Sequence, residues 1–367
     1  MQWELKWLAW EICARCNLRC VHCRCNAEMG SGEGIFTLPR AKALLDDIAR
    51  FASPVVVLTG GEPLLRQDLP EILAYGTAKG FRMCMATNGT LLDDAWCEKL
   101  AAGGIKIVSL SLDAASAAIH DDFRKQEGAF EGTLRGIECL KRRGIPFLIN
   151  SSFTQRNAGE AQATYALAKR LGAKAWYMFC VVPVGRGEEI SAELLTPAQY
   201  RELLAWHLAM ERGEDEMLVR PTCMPQYYRL LAEAEARGEK LTRRSLSFST
   251  GGAKGCVAGQ SIALITAWGE VKPCSYFPEA AGNLAEKSLE EIWRASPLFA
   301  RLRDFSAYKG MCGQCAYLHT CGGCRVRALY ARGDALGQDP VCIPAFGPPE
   351  RACGRPPDGG CACQGRR

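Results

Sequence analysis

Three cysteines, Cys16, Cys20 and Cys23, stand at x3 and x2 spacing in one short loop that directly follows an apolar run. Thiolates at such spacing are metal ligands. A structural zinc ion wants four protein ligands, and this loop offers only His22 as a fourth, wedged between two of the thiolates. Three thiolates match a 4Fe–4S cubane better, with one iron left without a protein ligand. An open iron accepts a bidentate amino-acid group.

A second set of thiols lies far downstream. Cys256 is followed by twelve residues, Gly269, four residues and Cys274; then come Cys312-x2-Cys315-x5-Cys321-x2-Cys324 and, after a gap, Cys342. Seven cysteines do not divide into whole tetrathiolate zinc sites, whereas a cubane tolerates an open iron. Of the 20 cysteines in the 367 residues, five fall between Cys13 and Cys25 and ten from Cys256 onward. In a chain this long without an export signal they read as metal ligands and not disulfides. The five between, Cys84, Cys97, Cys139, Cys180 and Cys223, read as small buried apolar residues.

The elements that must position these loops are legible from periodicity. Strand-like runs are Trp7–Ile12, Val55–Leu58, Phe81–Ala86, Ile105–Leu112, Pro146–Phe153 and Ala175–Val182. Helical segments 39–51, 69–79, 93–102, 130–143 and 158–171 alternate with them, and Gly80, Gly104, Gly144 and Gly172 follow four of these as C-caps. Repeated βα units apolar on both strand faces mean an α/β fold with a parallel sheet. Six units are too few for a closed barrel, so an open, partial (β/α)6 TIM-type barrel is expected, with ligands at the strands' C-terminal ends. The expected divisions are residues 1–185 for this barrel, 186–248 for a helical bridge, 249–346 for a small cysteine-rich domain and 347–367 for a disordered tail. The tail is rich in Pro, Gly and Arg and carries Cys353, Cys361 and Cys363.

The net charge of +5 is too diffuse for nucleic-acid binding, and no run of about 18 apolar residues suits a membrane span. A cytoplasmic protein is expected.

The Cys-x3-Cys-x2-Cys loop resembles the signature of the radical S-adenosylmethionine (SAM) superfamily, over roughly residues 5–185. Three further segments agree, each at a strand end. Thr59-Gly60-Gly61-Glu62-Pro63 resembles the superfamily's GGEP segment, which implies Glu62 beside the SAM ammonium and glycines that let backbone approach the ligand. Thr87-Asn88 and Ser109-Leu110-Ser111-Leu112-Asp113 resemble segments that contact the ribose and carboxylate. The C-terminal cysteines resemble the SPASM domain, which carries one or two auxiliary 4Fe–4S clusters. That resemblance implies Cys312, Cys315, Cys321 and Cys342 for an outer cluster and Cys256, Cys274 and Cys324 for an inner one. Where the family often has a further thiol, this chain reads Ser247-Phe-Ser249, so the inner cluster has an open iron, an oxygen ligand such as Ser249, or Cys223.

Narrower strings (AWEI at 9–12, RCNLRCVHCR at 15–24, MATNGTLL at 85–92, GAFEGTLRGIE at 128–138, VPVGRG at 182–187, CMPQYYRLL at 223–231) resemble the SAM-dependent haem synthases of the siroheme-dependent pathway. The resemblance implies oxidative decarboxylation of two propionates of iron-coproporphyrin III to vinyl groups by a 5′-deoxyadenosyl radical, with reduced ferredoxin or flavodoxin as electron donor. Siroheme-derivative deacetylation and propionate removal for d-type haem are the nearest relatives of that reaction. A peptide-modifying maturase uses the same two domains, though an N-terminal peptide-binding domain has no room before the first strand. A bare iron–sulfur electron carrier would not need the GGEP segment. Arg24, Arg156 and Arg186, near strand ends, are candidates for holding substrate carboxylates. His22 is read as a loop-packing residue or an iron or cluster contact, and His319 as knuckle structure.

Overall fold

The computed structural model describes residues 3–239, 254–342 and 346–347. Six parallel strands lie side by side in chain order: β1 (Trp7–Cys13), β2 (Val55–Gly60), β3 (Arg82–Thr87), β4 (Ile107–Ser111), β5 (Phe147–Phe153) and β6 (Ala175–Cys180). Helices α1 (Leu38–Phe51), α2 (Leu69–Ala78), α3 (Asp94–Ala102), α4 (Ala117–Arg124), α5 (Ala129–Arg142) and α6 (Ala161–Leu171) connect them. In α1, Pro39 stands in the first turn, and Ala41, Leu44, Leu45 and Ile48 are buried at helical spacing against the sheet. The four expected glycine C-caps all take positive φ.

The two sheet faces divide cleanly. Val56, Leu58, Met83, Met85, Val108, Leu110 and Ile149 pack under the helices. The opposite face lines the barrel lumen, where Val57, Cys84, Ile107, Leu148, Ala175 and Leu218 form an apolar floor. Strand register carries that face upward to Glu11, Thr59, Ser109, Ser111, Asn150, Ser152 and Tyr177 at the C-terminal ends. An apolar floor under a polar mouth is the geometry that puts a ligand at the top of such a barrel.

The parallel sheet runs past the expected boundaries. After α7 (Pro197–Glu211), opened by a Thr196–Gln199 capping box, strand β7 (Leu218–Thr222) adds beside β6. The segment expected as a helical bridge is therefore partly sheet; Pro221 disguises β7, and an edge strand is where Pro is tolerated. Helix α8 (Gln226–Ala236) follows. Strand β8 (Ile262–Ile265) then pairs in parallel with β1, and β9 (Glu270–Lys272) and β10 (Gly282–Asn283) continue antiparallel, which makes one sheet of ten strands among the described residues. Short helices α9 (Leu289–Ala295), α10 (Pro297–Arg303), α11 (Gly310–Gly313) and α12 (Arg325–Arg332) complete the C-terminal region. Ser249 and the tail thiols Cys353, Cys361 and Cys363 lie outside the described residues. Among the described residues, no helix is long and apolar enough to cross a membrane.

Candidate metal centres and the barrel mouth

Cys16, Cys20 and Cys23 sit together in the loop after β1, packed with Leu18, Ala27 and Cys25. All three are free thiols, the first two buried and the third half-buried. Backbone and arginine contacts hold the loop. Cys16 N–H donates to the Glu28 carbonyl at 3.2 Å. Arg186, buried, donates through Nε to the Cys20 carbonyl at 2.8 Å and through Nη2 to the Ala27 carbonyl at 3.0 Å. Gly185 lets that segment reach the loop: with φ +58°, a Cβ there would lie 2.5 Å from the Cys23 carbonyl oxygen. Arg124, from the end of α4, donates to the Cys20 sulfur at 3.6 Å. Burial, together with the Glu62 charge, pushes the Cys16 thiol up to about 12. A hydrogen bond shared with Cys25, 3.7 Å away, pulls Cys23 down.

The GGEP segment has a structural job that the sequence did not suggest. Gly61 N–H donates to the Cys13 carbonyl at 2.8 Å and Glu62 N–H to the Arg15 carbonyl at 2.7 Å. A Cβ on Gly60 would come within 2.0 Å of the Cys13 oxygen, and one on Gly61 within 2.1 Å of the Arg15 oxygen. These glycines let the end of β2 lie against the thiol loop itself. Glu62, fully buried, accepts from Thr87 Oγ1 at 2.6 Å, Asn88 N–H at 2.9 Å and Leu64 N–H at 3.1 Å. Burial raises its carboxyl to about 7 despite those donors. A carboxylate offers about four lone-pair sites, so room for one further donor remains. Pro63 opens the short turn that follows.

Asn88 reaches Asn17 of the thiol loop at 2.8 Å, and Asn17 reaches Thr90 at 2.9 Å. Asn88 thus braces the loop from β3. Ser109 accepts from Asn150 at 2.7 Å on the lumen face, and Ser111 lies on the same face, half-buried. Asp113 is fully buried, paired with Arg124 at 2.5 Å and accepting from Ser152 N–H at 2.8 Å. It acts behind the loop, holding the arginine that touches Cys20.

The three arginines proposed from sequence are all engaged. Arg24 forms a 2.6 Å ion pair with Glu11 and donates to the Ser275 carbonyl at 3.4 Å, next to Cys274. Arg186 braces the loop, and Arg156 pairs with Glu193 and Asp122 at the surface. Arg220 was missed. It sits on β7 in register with Tyr177, so it faces the lumen, and it has no hydrogen-bond or ion-pair partner among the described residues. Only the strand assignment, hidden by Pro221, could have found it. A cavity of about 570 Å³ opens at the other edge of the barrel mouth, bounded by Glu11, Arg24, Gly61, Trp268, Lys272 and Tyr276.

In the C-terminal region Cys312, Cys315, Cys321 and Cys342 line one small cavity. Arg325 donates to the Cys312 sulfur at 3.6 Å and Arg229 to the Cys342 sulfur at 3.7 Å. A Cβ on Gly323 would sit 3.1 Å from the Cys312 sulfur. Cys256, Cys274 and Cys324 lie apart from that cavity, Cys324 at the start of α12 and Cys274 packed into the same apolar cluster. Arg325 and Arg229 thus place positive charge on the outer set, which suits thiolates on a charged cluster.

Comparison with known proteins fits this geometry. Residues 10–156 match the radical SAM superfamily and residues 256–324 the SPASM iron–sulfur cluster-binding domain. The chain is 42% identical to the AdoMet-dependent heme synthase of Methanosarcina barkeri over 92% of this chain and 95% of that one. It is 38% identical to the protein of the same name from Nitratidesulfovibrio vulgaris, over 92% of each. The chain belongs to the radical SAM superfamily. Its fold is similar to that of Streptococcus suis SuiB (TM-score 0.72, 18% identity), covering 92% of this chain and 77% of that one.

As a radical SAM enzyme with a SPASM domain, the chain takes a 4Fe–4S cluster with an open iron, SAM and auxiliary iron–sulfur clusters. The residues present fit them: three thiols outside any disulfide in one braced loop, and four more around one cavity. The histidines serve packing. His22 stacks on Phe123 with centroids 4.3 Å apart, His120 Nδ1 accepts from Asp113 N–H at 3.1 Å, and His319 packs on Phe305. Trp176 is core, its Nε1–H donating to Ser151 at 2.8 Å, and Tyr227 and Tyr228 are buried too.

Proposed function

We propose that this enzyme oxidatively decarboxylates two propionates of iron-coproporphyrin III to vinyl groups, giving haem b. The observation that carries the reading is Arg220, a lumen-facing guanidinium without an anionic partner among the described residues, above an apolar barrel floor. Such a cation suits a substrate carboxylate, which it can grip bidentately. The identities of 42% and 38% to proteins named AdoMet-dependent heme synthase support the same substrate class.

When bound, the open-iron cluster and SAM supply the 5′-deoxyadenosyl radical that abstracts hydrogen from an unactivated C–H bond. The chain's own residues do the rest. Cys16, Cys20 and Cys23 hold the cluster, and Glu62, with one acceptor site left, orients the SAM ammonium. Gly60, Gly61 and Pro63 fix the turn that carries Glu62; Thr87 and Asn88 secure it from β3, and Ser109, Ser111 and Asp113 line or back the wall beneath. Arg220 orients the macrocycle by one carboxylate, and the apolar floor excludes water from the reacting carbon. Loss of CO₂ leaves one electron over, which auxiliary clusters held by Cys312, Cys315, Cys321 and Cys342 and by Cys256, Cys274 and Cys324 would accept; Arg24, bonded to Ser275, ties the initiating loop to the strand end that carries Cys274. Reduced ferredoxin or flavodoxin supplies the first electron, and free thiols of this number fit the reducing cytoplasm.

Anaerobic incubation of the reconstituted enzyme with SAM, dithionite and iron-coproporphyrin III tests the reading. Each converted propionate should lose CO₂ and two hydrogens, with 5′-deoxyadenosine formed. Cofactor cleavage without a porphyrin product overturns it, and mass spectrometry would reveal loss of acetyl or whole propionate groups from other tetrapyrroles.

A further inference from the structure

Cys256, Cys274 and Cys324 are one thiol short of a filled cubane. The turn between β7 and α8 carries another cysteine, Cys223, upstream of the matched iron–sulfur domain at 256–324. Three contacts seat this turn on the incomplete set. A Cβ on Gly255 would lie 2.8 Å from the Pro225 Cβ and 2.3 Å from the Cys321 carbonyl oxygen, and Cys256 N–H donates to that same carbonyl at 3.0 Å. Arg327 donates to the Cys223 carbonyl at 2.6 Å and to Asp339 at 2.7 Å, while Asp339 accepts from Cys324 N–H at 2.7 Å. Cys223 and Cys274 pack against the apolar cluster that contains Cys324.

The backbone adds a separate observation. Cys223 takes φ +59°, a left-handed conformation that non-glycine residues adopt rarely and keep where the surroundings over-determine them.

We propose that Cys223 is the fourth thiolate ligand of the inner auxiliary cluster, completing Cys256, Cys274 and Cys324. The nearest rival is Cys180, a core residue of β6 whose thiol donates to the Val181 carbonyl at 3.6 Å. With four cysteines the inner cluster has no open iron, so it passes electrons and binds no substrate. This inference rests on the radical SAM and SPASM assignment and not on the tetrapyrrole reading.

The test needs no porphyrin. Full-length protein carrying Cys16→Ala, Cys20→Ala and Cys23→Ala retains only auxiliary iron, roughly eight atoms per chain for two cubanes. Adding Cys223→Ala is expected to remove at least one of those irons and to alter the reduced-state EPR signal of one cluster. Adding Cys180→Ala instead should change neither. Unchanged iron and EPR in the Cys223→Ala protein overturn the proposal, as does a loss seen only with Cys180→Ala. If Cys223→Ala does not fold, Cys223→Ser decides: a shifted EPR signal or midpoint potential supports ligation, and an unshifted one refutes it.

Discussion

The two thiol regions are assembled from opposite materials. Cys16, Cys20 and Cys23 come from one short loop, and neighbours on β2, β3, α4 and the 185–187 turn brace that loop from outside. The outer C-terminal set spans Cys312 to Cys342, and Cys256 and Cys274 come from still earlier segments. One buried hub gathers these pieces: Asp339 accepts from Arg327, Gln226 and Cys324. The first region takes its ligands from one stretch of eight residues; the second has to bring its ligands together from separate segments. Buried ion pairs serve both regions, Arg124–Asp113 and Arg24–Glu11 beside the loop and Arg327–Asp339 at the hub.

The contrast can be broken by mutation. The largest effect is expected at the loop: Cys16→Ala, Cys20→Ala or Cys23→Ala should abolish 5′-deoxyadenosine formation, whereas Cys312→Ala should leave SAM cleavage measurable and depress product. Equal loss in both, read by chromatography, would remove the distinction between initiating and auxiliary regions. Next comes the hub. Asp339→Ala leaves the Arg327 charge buried without its partner, a loss of about 3–5 kcal/mol in unfolding free energy. Denaturant titration unchanged from the parent would show that Asp339 does not organise the region.

A smaller effect sharpens the loop side. Glu62 titrates near 7 because burial outweighs its donors, well above the ordinary 4.5. An ammonium needs the carboxylate, so SAM affinity should be flat above pH 7 and fall by about tenfold per unit below it. For the ligand-free protein the sign is reversed. Between pH 4.5 and 7 the folded state holds a proton that the unfolded chain releases, so this residue's contribution to stability declines as pH rises. Calorimetric SAM titrations from pH 6 to 8 measure the first, and a pH-independent Kd would contradict it. The smallest expected effect is at Arg220. Arg220→Ala should raise the porphyrin KM roughly tenfold, about 1.4 kcal/mol, with SAM cleavage intact; an unchanged KM removes Arg220 from substrate binding.

Legibility followed locality. The three-thiol loop and the six βα units could be read because short spacings and strand periodicity lie in contiguous sequence, while the outer four-thiol set, with Cys342 beyond a gap, came from the family resemblance. What escaped depends on pairing between distant segments. Arg220 gains its meaning from the Tyr177 register, and β7 is masked by Pro221. Arg186 looked like a substrate contact and turned out to brace Cys20, because only the fold shows that the end of β6 returns to the loop after β1. The helix α4 was also unread, yet it delivers both Phe123 and Arg124 to the thiol loop. Gly60 and Gly61 were singled out for approach to the ligand; their contact with the Cys13–Arg15 backbone is visible only in the fold.

The pairing of β1 with both β2 and β8 has a practical consequence. The strand that carries the thiol loop has no open edge. Cutting the chain before β8 would leave the apolar run from Trp7 to Trp10 as an edge strand, paired with β2 on one side and open on the other, a template for intermolecular pairing. A barrel expressed without its C-terminal part should therefore accumulate as insoluble aggregate.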